Sequence, residues 1–285
     1  MSIESQIQQA QTLEAGGDLE GAAQILLALS FEGAQRPCTD ILKMETYLKS
    51  AELCIRLGKI DEAEAQINRA SMLQTTVTDA NLLQQYKSLY AIILDHNQRF
   101  AEAATRYFEI SNKSQLSPEE KARVLQSAIV CTILAIRGQQ KSQMLTNLYK
   151  DERCHSLIGY PIIEEMHFER FIKPEQLKEF ETILKPHQQK QVENSEASTL
   201  QQATIEHNIM SLARIYKNIT FERLGELLHI PADALEETVA RIISSNQLRA
   251  TIDQIDRVII FEDNNLTESY INNVLGSVNL NLINA

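Results

Sequence analysis

The sequence predicts a mostly α-helical protein in which a solenoid of helical repeats, of the TPR or HEAT type, leads into a winged-helix subdomain and a C-terminal helix. A helical motif recurs about every 40 residues in the first half, a helix–helix–helix–hairpin pattern follows, and an apolar stripe lies near the C-terminus. We assign residues 1–149 to the helical-repeat array, 150–198 to a helical stretch and linker that complete the helical part, 199–262 to the winged helix, and 263–285 to the C-terminal helix and tail.

The repeat consists of apolar residues at positions i, i+3, i+4 and i+7 of a helix. Its three copies are Leu19, Ala22, Ala23 and Leu26, then Ile60, Ala63 and Ile67, then Phe100, Ala103, Ala104 and Tyr107. Each copy follows a residue that tolerates the left-handed conformation at a helix end, namely Gly17, Gly58 and Asn97, and Gly138 supplies a fourth. Steps of 41, 39 and 41 residues with two helices per unit indicate a solenoid.

Capping residues predict where the later helices begin. Residues 117–120 (SPEE) form the pattern of a capping box with proline at the first helical position. Further helices are predicted to begin at Pro161 and Pro174. Residues 185–198 are polar and lack periodicity, which predicts a loop or linker before the winged helix.

The winged-helix prediction rests on a change of period within residues 204–262. The three helical apolar faces consist of Ile205, Ile209, Leu212, Ala213 and Tyr216, then Phe221, Leu224, Leu227 and Leu228, then Leu235, Val239 and Ile242. Thr220 is predicted to cap the second helix and Pro231 to open the third. Residues 248–253 then alternate between apolar and polar, and residues 258–261 are β-rich, which together predict a two-stranded hairpin.

The charge of the chain disfavours nucleic acid and anionic membranes as partners. With 38 acidic and 27 basic residues, the net charge is −11 and the pI is about 5.1. The predicted reading helix, residues 231–245, carries three acidic residues and one basic residue, and it would repel the DNA backbone. No apolar run is long enough to span a bilayer, so the sequence predicts an intracellular protein with reduced cysteines.

No catalytic, metal-binding or cofactor-binding site is predicted. No histidine lies within ten residues of another, so the sequence lacks the clustered ligands of a metalloprotease. Glu164 and His167 have the spacing of half a di-iron site, but a solvated helix face is the favoured interpretation because no second copy exists. Cys154 and His155 would point about 100° apart on a helix, which argues against a thiol nucleophile.

The apolar stripe near the C-terminus predicts a helix that needs a partner. It consists of Leu266, Tyr270, Val274 and Val278, one residue every four positions. A helix of some 14 residues is marginal by itself in water. We therefore favour a bundle shared with other chains over packing against its own domain.

Several stretches carry a resemblance to a known family. They are residues 65–74 (AQINRASMLQ), 149–154 (YKDERC), 205–211 (IEHNIMS), 218–225 (NITFERLG), 230–232 (IPA) and 252–256 (IDQID), with Phe261 and Glu262. These stretches resemble the PCI-domain family that forms subunit four of the COP9 signalosome, over roughly residues 46–262. The INRAS and KDERC segments favour this subunit over its look-alike in the proteasome lid.

The resemblance implies a PCI domain in a non-catalytic scaffold and substrate-recognition subunit, in the cytoplasm and the nucleus, without a cofactor. It implies that the subunit joins other PCI subunits through winged-helix sheet edges and a C-terminal helix bundle, in a complex that removes a ubiquitin-like modifier from cullins. The other implied partners are the metalloprotease subunit pair and a cullin-RING ligase. The candidate interface residues are Arg249, Thr251, Asp253, Arg257, Ile259, Leu266, Tyr270, Val274 and Val278.

Three other interpretations stay open at this point. The chain could be a PCI scaffold of the proteasome lid, a winged-helix protein that binds nucleic acid, or an enzyme in its own right. The proteins that co-purify with the chain would separate the first of these from the signalosome interpretation.

Overall fold

The computed structural model describes residues 3–29, 31, 39–113, 116–190 and 198–262, and the chain forms two compact units. The first comprises Met1–Ile163 and Gln176–Gln191, and the second comprises Glu164–Glu175 and Val192–Ala285. The chain therefore enters the second unit, returns to the first and crosses once more. The predicted domain ranges have the chain pass once from the helical part into the winged helix, so they did not include this return of residues 176–191 to the first unit.

The predicted, mostly helical architecture is confirmed. The helices are α1 (Ile3–Ala15), α2 (Leu19–Ala28), α3 (Asp40–Arg56), α4 (Ile60–Ser71), α5 (Ala80–His96), α6 (Phe100–Ser111), α7 (Pro118–Leu134), α8 (Gln139–Lys150), α9 (Tyr160–His167), α10 (Pro174–Glu181), α11 (Thr199–Ala213), α12 (Phe221–Leu228) and α13 (Ala232–Ser244). Two 3₁₀ turns lie at Glu152–Cys154 and Pro186–Gln188. Among the described residues, no helix combines the length and apolarity that a bilayer-spanning segment requires.

The small residues of the repeat lie where neighbouring helices meet. Helix α1 packs on α2, α3 on α4, and α6 on both α5 and α7. Ala22 and Ala23 are buried in α2, Ala63 in α4, and Ala103 and Ala104 in α6. Because each alanine adds only a methyl group, the paired helices approach closely, and larger side chains from both helices close over the contact.

The helix ends follow the predicted turns in two repeats and depart from them in the third. Gly17 and Gly58 have φ values of 88° and 76°, in the left-handed region that glycine adopts without steric cost. The prediction for Asn97 was wrong, because Asn97 has a φ of −81° and the next residue, Gln98, takes the left-handed conformation at 60°. The Asn97 side chain instead donates a 2.8 Å hydrogen bond to Glu64, which ties this turn to α4.

The prediction for Gly138 was also wrong, because a lysine replaces the expected glycine turn. Gly138 has a φ of 174°, which is ordinary extended backbone, and it precedes α8. The buried Lys141 ammonium donates to the carbonyl oxygens of Ile133 and Ala135, at 3.0 and 2.8 Å. A cation at the carboxyl end of a helix satisfies carbonyls that lack an intrahelical partner. Lys141 therefore stabilises the carboxyl end of α7 through its charge and these two hydrogen bonds.

The predicted helix starts are confirmed by their caps. Ser117 Oγ accepts from the Glu120 N–H at 3.3 Å, and the Glu120 carboxylate accepts from the Ser117 N–H at 2.9 Å. This reciprocal pair is the capping box, and Pro118 begins α7. Helix α10 begins at Pro174, and α9 begins at Tyr160, one residue before the predicted proline.

The predicted linker at residues 185–198 is wrong in its first part. Residues 186–188 form a 3₁₀ turn in which Gln188 is buried, although the sequence there is polar. The turn is held because its side chains meet a buried aspartate, Asp95, of α5. A polar segment becomes buried in this way only where a charged partner satisfies its hydrogen bonds.

The winged helix contains the three predicted helices, α11 to α13, and one strand more than predicted. The strands are β1 (Asn218–Thr220), β2 (Ala250–Asp253) and β3 (Val258–Phe261). The predicted hairpin is confirmed as β2 and β3. The prediction missed β1, which has only three residues, too few for an alternating pattern. Thr220 caps α12 as predicted, through a 3.1 Å hydrogen bond from the Arg223 N–H. Helix α13 begins at Ala232, with Pro231 in the preceding cap position.

The core of the winged helix draws on all six elements. Its buried members are Ile209, Leu212, Ile219, Phe221, Leu224, Leu235, Val239, Ile242, Leu248, Ala250, Ile259 and Phe261. The turn between α12 and α13 passes so close to Gly225 that an added Cβ would lie 2.7 Å from the Ile230 carbonyl oxygen. His229 reverses the chain there with a φ of 57°. The helices thus form a tight layer beneath one face of the sheet.

Candidate protein-docking surface of the winged helix

The sheet of the winged helix is antiparallel, with β3 between β1 and β2. Ile259 of β3 pairs with Ile219 of β1 and with Ile252 of β2, and this row faces the helices. Successive side chains of a strand point to opposite faces. Ile260 therefore lies on the outer face, between Asn218 and Thr251.

Both outer strands have one edge that no described strand pairs with. The Lys217 carbonyl accepts from the Phe261 N–H and the Arg249 carbonyl accepts from the Glu262 N–H, so these residues point their backbone groups towards β3. Backbone direction alternates along an antiparallel strand. The polar groups of Asn218 on β1, and of Ile252 on β2, consequently point away from β3 and are suited to receive a further strand.

The turn between β2 and β3 is fixed by two side chains. The Asp253 carboxylate accepts from the N–H groups of Ile255 and Asp256, at 2.9 and 3.1 Å. Arg257 has a left-handed φ of 52°, which is uncommon for a residue with a Cβ. Its guanidinium lies 2.7 Å from Asp233 of α13, a contact that ties the wing to the reading helix.

The structure places the predicted interface residues in three different situations. Arg249 and Thr251 are exposed beside the free edge of β2, while Asp253 and Arg257 are half-buried and make the contacts of the turn. Ile259 was a wrong choice, because its side chain is 0% exposed in the core, whereas Ile260 is 46% exposed. The predicted terminal residues, Leu266, Tyr270, Val274 and Val278, lie outside the described residues.

Sequence reasoning missed the exposed isoleucines of this unit. Ile255 is 94% exposed in the wing turn, and Ile215, after α11, is also exposed. An apolar residue between Asp253 and Asp256, in a turn of polar residues, was the signal that could have found Ile255. Together with Ile260 they are exposed apolar side chains of this unit, of the kind that a protein partner can cover.

The reading helix keeps its acidic character in the structure. Asp233 and Glu237 are exposed, and the guanidinium of Arg257 is engaged by Asp233 and Glu222. Proteins that bind DNA need cations that can neutralise phosphates. This surface offers carboxylates instead, so its electrostatics favour a protein partner over nucleic acid.

Helix α11 holds an extended segment of the second unit through its polar face. Asn208 Oδ1 accepts from the Ile172 N–H at 2.8 Å, and Asn208 Nδ2 donates to the Ile172 carbonyl at 3.0 Å. His207 Nε2 lies 2.8 Å from the Arg170 carbonyl, so it must carry a proton, and Ser211 lies 3.4 Å from the same oxygen. Three polar residues of the IEHNIMS stretch thus attach residues 170–172 to the winged helix.

The residues weighed for chemistry have structural surroundings. Cys54, Cys131 and Cys154 are buried free thiols, and burial raises the pKa of Cys154 to about 12. A thiol with so high a pKa carries almost no thiolate at neutral pH. His155 is exposed and its ring lies against that of Tyr160. Within the described ranges, no group of three or more His, Cys, Asp or Glu residues is arranged to hold a metal ion.

A shallow groove of about 560 Å³ in the first unit is lined by Phe108, Asn147 and residues 150–153. The Arg153 guanidinium donates to the Asp151 carboxylate, with the shortest distance 2.6 Å, and to the carbonyl of Ser111 at 3.1 Å. These contacts attach the KDERC stretch to the end of α6. The charges of Asp151 and Arg153 in this groove therefore serve the fold.

Comparisons with known proteins agree with this geometry. Residues 177–263 match the family described as PCI domain, and residues 5–119 match the family described as PSMD12/CSN4, N-terminal. The chain is 40% identical over 245 residues to COP9 signalosome complex subunit 4 of Drosophila melanogaster, covering 86% of this chain and 60% of that protein. It is 38% identical over 249 residues to the subunit 4 of Arabidopsis thaliana, covering 85% and 62%. The chain spans about three-fifths of the length of these relatives.

Proposed function

We infer that this chain belongs to the COP9 signalosome subunit 4 family of PCI-domain proteins, and we propose that it acts as a non-catalytic scaffold and substrate-recognition subunit of that complex. The observation that carries the proposal is the winged-helix sheet, whose two outer strands have edges that no described strand occupies. A free strand edge binds another strand through backbone hydrogen bonds, and this binding requires no particular side chain. A scaffold subunit uses such an edge to join a neighbour.

The proposed partners on this edge are other PCI subunits of the complex. The exposed Arg249 and Thr251 flank the edge of β2, and their side chains would give it selectivity among strands. The terminal segment, residues 263–285, is proposed to contribute to a shared helix bundle, as its apolar stripe suggests.

The wider partners follow from the family. We propose the metalloprotease subunit pair as the catalytic partner and a cullin-RING ligase as the substrate, in the cytoplasm and the nucleus. The helical-repeat array supports this assignment, since stacked helix pairs offer an extended surface for a large protein ligand. The buried thiols and the acidic reading helix suit a subunit that binds proteins and leaves the chemistry to another chain.

The alternative, a PCI scaffold of the proteasome lid, is less favoured. The family matched by residues 5–119 carries both names in its description, but curated relatives from four organisms that match 85–90% of this chain are named COP9 signalosome complex subunit 4. No observation in the described residues favours a nucleic-acid ligand.

Affinity purification of the tagged chain from cells of its source, followed by mass spectrometry, tests the assignment. We expect recovery of other PCI subunits and the metalloprotease subunit in stoichiometric amounts, because a scaffold subunit stays in the assembled complex, and recovery of cullins as the bound substrate. The tag expressed by itself is the control. Recovery of proteasome base ATPases in place of cullins would contradict the assignment.

A further inference from the structure

The 3₁₀ turn of the first unit is attached to a buried carboxylate. Asp95, near the end of α5, is 0% exposed. Gln188 Nε2 donates to both of its oxygens, at 2.8 and 3.0 Å, and the Lys185 ammonium lies 3.4 Å away. From α6, the Tyr107 hydroxyl donates at 3.4 Å. We call Asp95, His96 and residues 185–188 the Asp95 clip.

The negative charge of Asp95 holds residues 185–188 in the clip. Burial by itself would raise the pKa of Asp95, but the contacts from His187, Gln188 and Lys185 more than offset it and lower that pKa. Asp95 is therefore a carboxylate at neutral pH, and a buried charge needs its partners in place. If residues 185–188 moved away, the carboxylate would lose most of its contacts. The turn is consequently held in place at neutral pH.

Two imidazole rings are stacked inside the clip. The His187 side chain is nine-tenths buried, and its Nε2 lies 3.2 Å from Asp95 Oδ1. Its ring lies on that of His96, with centroids 3.7 Å apart and planes at 22°. A single carboxylate compensates one positive imidazole in this space, and Lys185 already shares that carboxylate. Two positive rings at this separation would repel each other.

The groups around the two rings also disfavour a positive charge on His96. Among the charged groups around His96, Asp95 favours the protonated form of its ring, while His187, Lys185 and Lys190 disfavour that form. Tyr107 of α6 and Cys131 of α7 also face Asp95, and both stay uncharged because burial raises their pKa values. The closed clip therefore favours the neutral form of the His96 ring.

We propose that residues 185–188 form an acid-releasable clip, which is closed while the His96 ring, stacked on that of His187, is neutral and opens when the His96 ring is protonated. The segment that leaves the clip leads to α11, which begins at Thr199. Opening would release residues 185–188 from the first unit, shortly before the chain enters the winged helix. The clip would thus act as a pH-sensitive switch between an attached and a released state of residues 185–188.

The direction of the pH effect follows from proton linkage. Burial, followed by the positive charge of His187, lowers the pKa of His96 in the closed state, and Asp95 offsets part of this effect. In the open state the ring returns to an ordinary pKa of about 6.5. The open state then binds one more proton below that pH, so the closed state loses stability as the pH falls. The opening equilibrium should rise by about 10-fold between pH 7.5 and pH 5.5.

Hydrogen exchange of the full chain, followed by mass spectrometry, tests the clip. Exchange rates of peptides that cover residues 182–190 are compared at pH 7.5 and 5.5 after correction for intrinsic exchange. We expect about 10-fold more opening at pH 5.5 in the wild-type chain. His96→Gln removes the ring whose pKa is lowered, so the rise should be largely absent from this variant. His187→Gln leaves the burial of His96 in place and should show a smaller rise than the wild-type chain.

A matched control and a second variant make the result decisive. His155→Gln removes an exposed imidazole that stacks on Tyr160 elsewhere, and it should keep the full wild-type response. Asp95→Asn removes the charge that closes the clip, and its peptide should exchange faster at both pH values. Equal opening of the wild-type chain at the two pH values would overturn the proposal, as would a 10-fold rise that survives in His96→Gln.

Discussion

Replacing Leu235 by aspartate should unfold the winged helix and abolish assembly into a larger complex. Leu235 is 1% exposed in the core beneath the sheet, among side chains that offer no hydrogen-bond donor. A carboxylate there would be buried without a partner, at a cost of about 4 kcal/mol or more. Amide hydrogen exchange should show loss of protection in α12, α13 and β3.

The control for this variant is Ala240→Asp on the same helix. Ala240 is exposed, so the added carboxylate would remain in water and change the stability by about 0.5 kcal/mol or less. The two variants carry the same added charge and differ in burial. Normal protection of α13 in Leu235→Asp would show that the inner face of this helix has been assigned wrongly.

Replacing Asn208 by alanine should cost about 2–6 kcal/mol of unfolding free energy in the second unit. The Asn208 amide satisfies the N–H and the carbonyl of Ile172, and both are part of a buried contact. Alanine would leave two backbone groups without partners, and each such loss costs about 1–3 kcal/mol. Denaturant unfolding of the full chain, with exchange at residues 170–172 as a local readout, measures the effect.

Asn68→Ala is the matched control for this second variant. Asn68 is an exposed residue within α4, so the same substitution removes no buried hydrogen bond. We expect a change within about 0.5 kcal/mol. Equal stabilities for the two alanine variants would contradict the role assigned to Asn208.

Most of the helices could be predicted because their signals are local. The capping box at Ser117 and the proline at the start of α10 act within one helical turn, so a single sequence contains the whole cause. The same holds for Gly17 and Gly58, whose backbone freedom decides the turn. At Gly138 the expected glycine turn is absent, since the Lys141 side chain of the next helix satisfies the carbonyl groups at the end of α7.

The parts that could not be predicted depend on contacts between distant residues. Gln188 is buried because its amide donates to Asp95, which lies more than 90 positions earlier in the chain, and the polar sequence around Gln188 suggests the opposite. The choice of Ile259 over Ile260 failed because the run VIIF is apolar throughout and contains no alternation. Only pairing with β1 and β2 decides which isoleucine faces the core.

Loss of one backbone donor at the sheet edge tests the central claim most directly. Asn218→Pro removes an N–H that points away from β3 and leaves the ladder between β1 and β3 intact, since proline is tolerated at such an edge. Asn218→Ala keeps the N–H and changes only the side chain. Both variants should melt within a few degrees of the wild-type chain.

The measurement is the amount of each variant recovered in the assembled complex, by pull-down through another PCI subunit. If the chain is a scaffold joined through this strand edge, Asn218→Pro should be recovered at a tenth of the wild-type level or less, which corresponds to about 1.4 kcal/mol of lost binding, and Asn218→Ala should be recovered normally. Equal recovery of Asn218→Pro and the wild-type chain would contradict docking through the edge of β1.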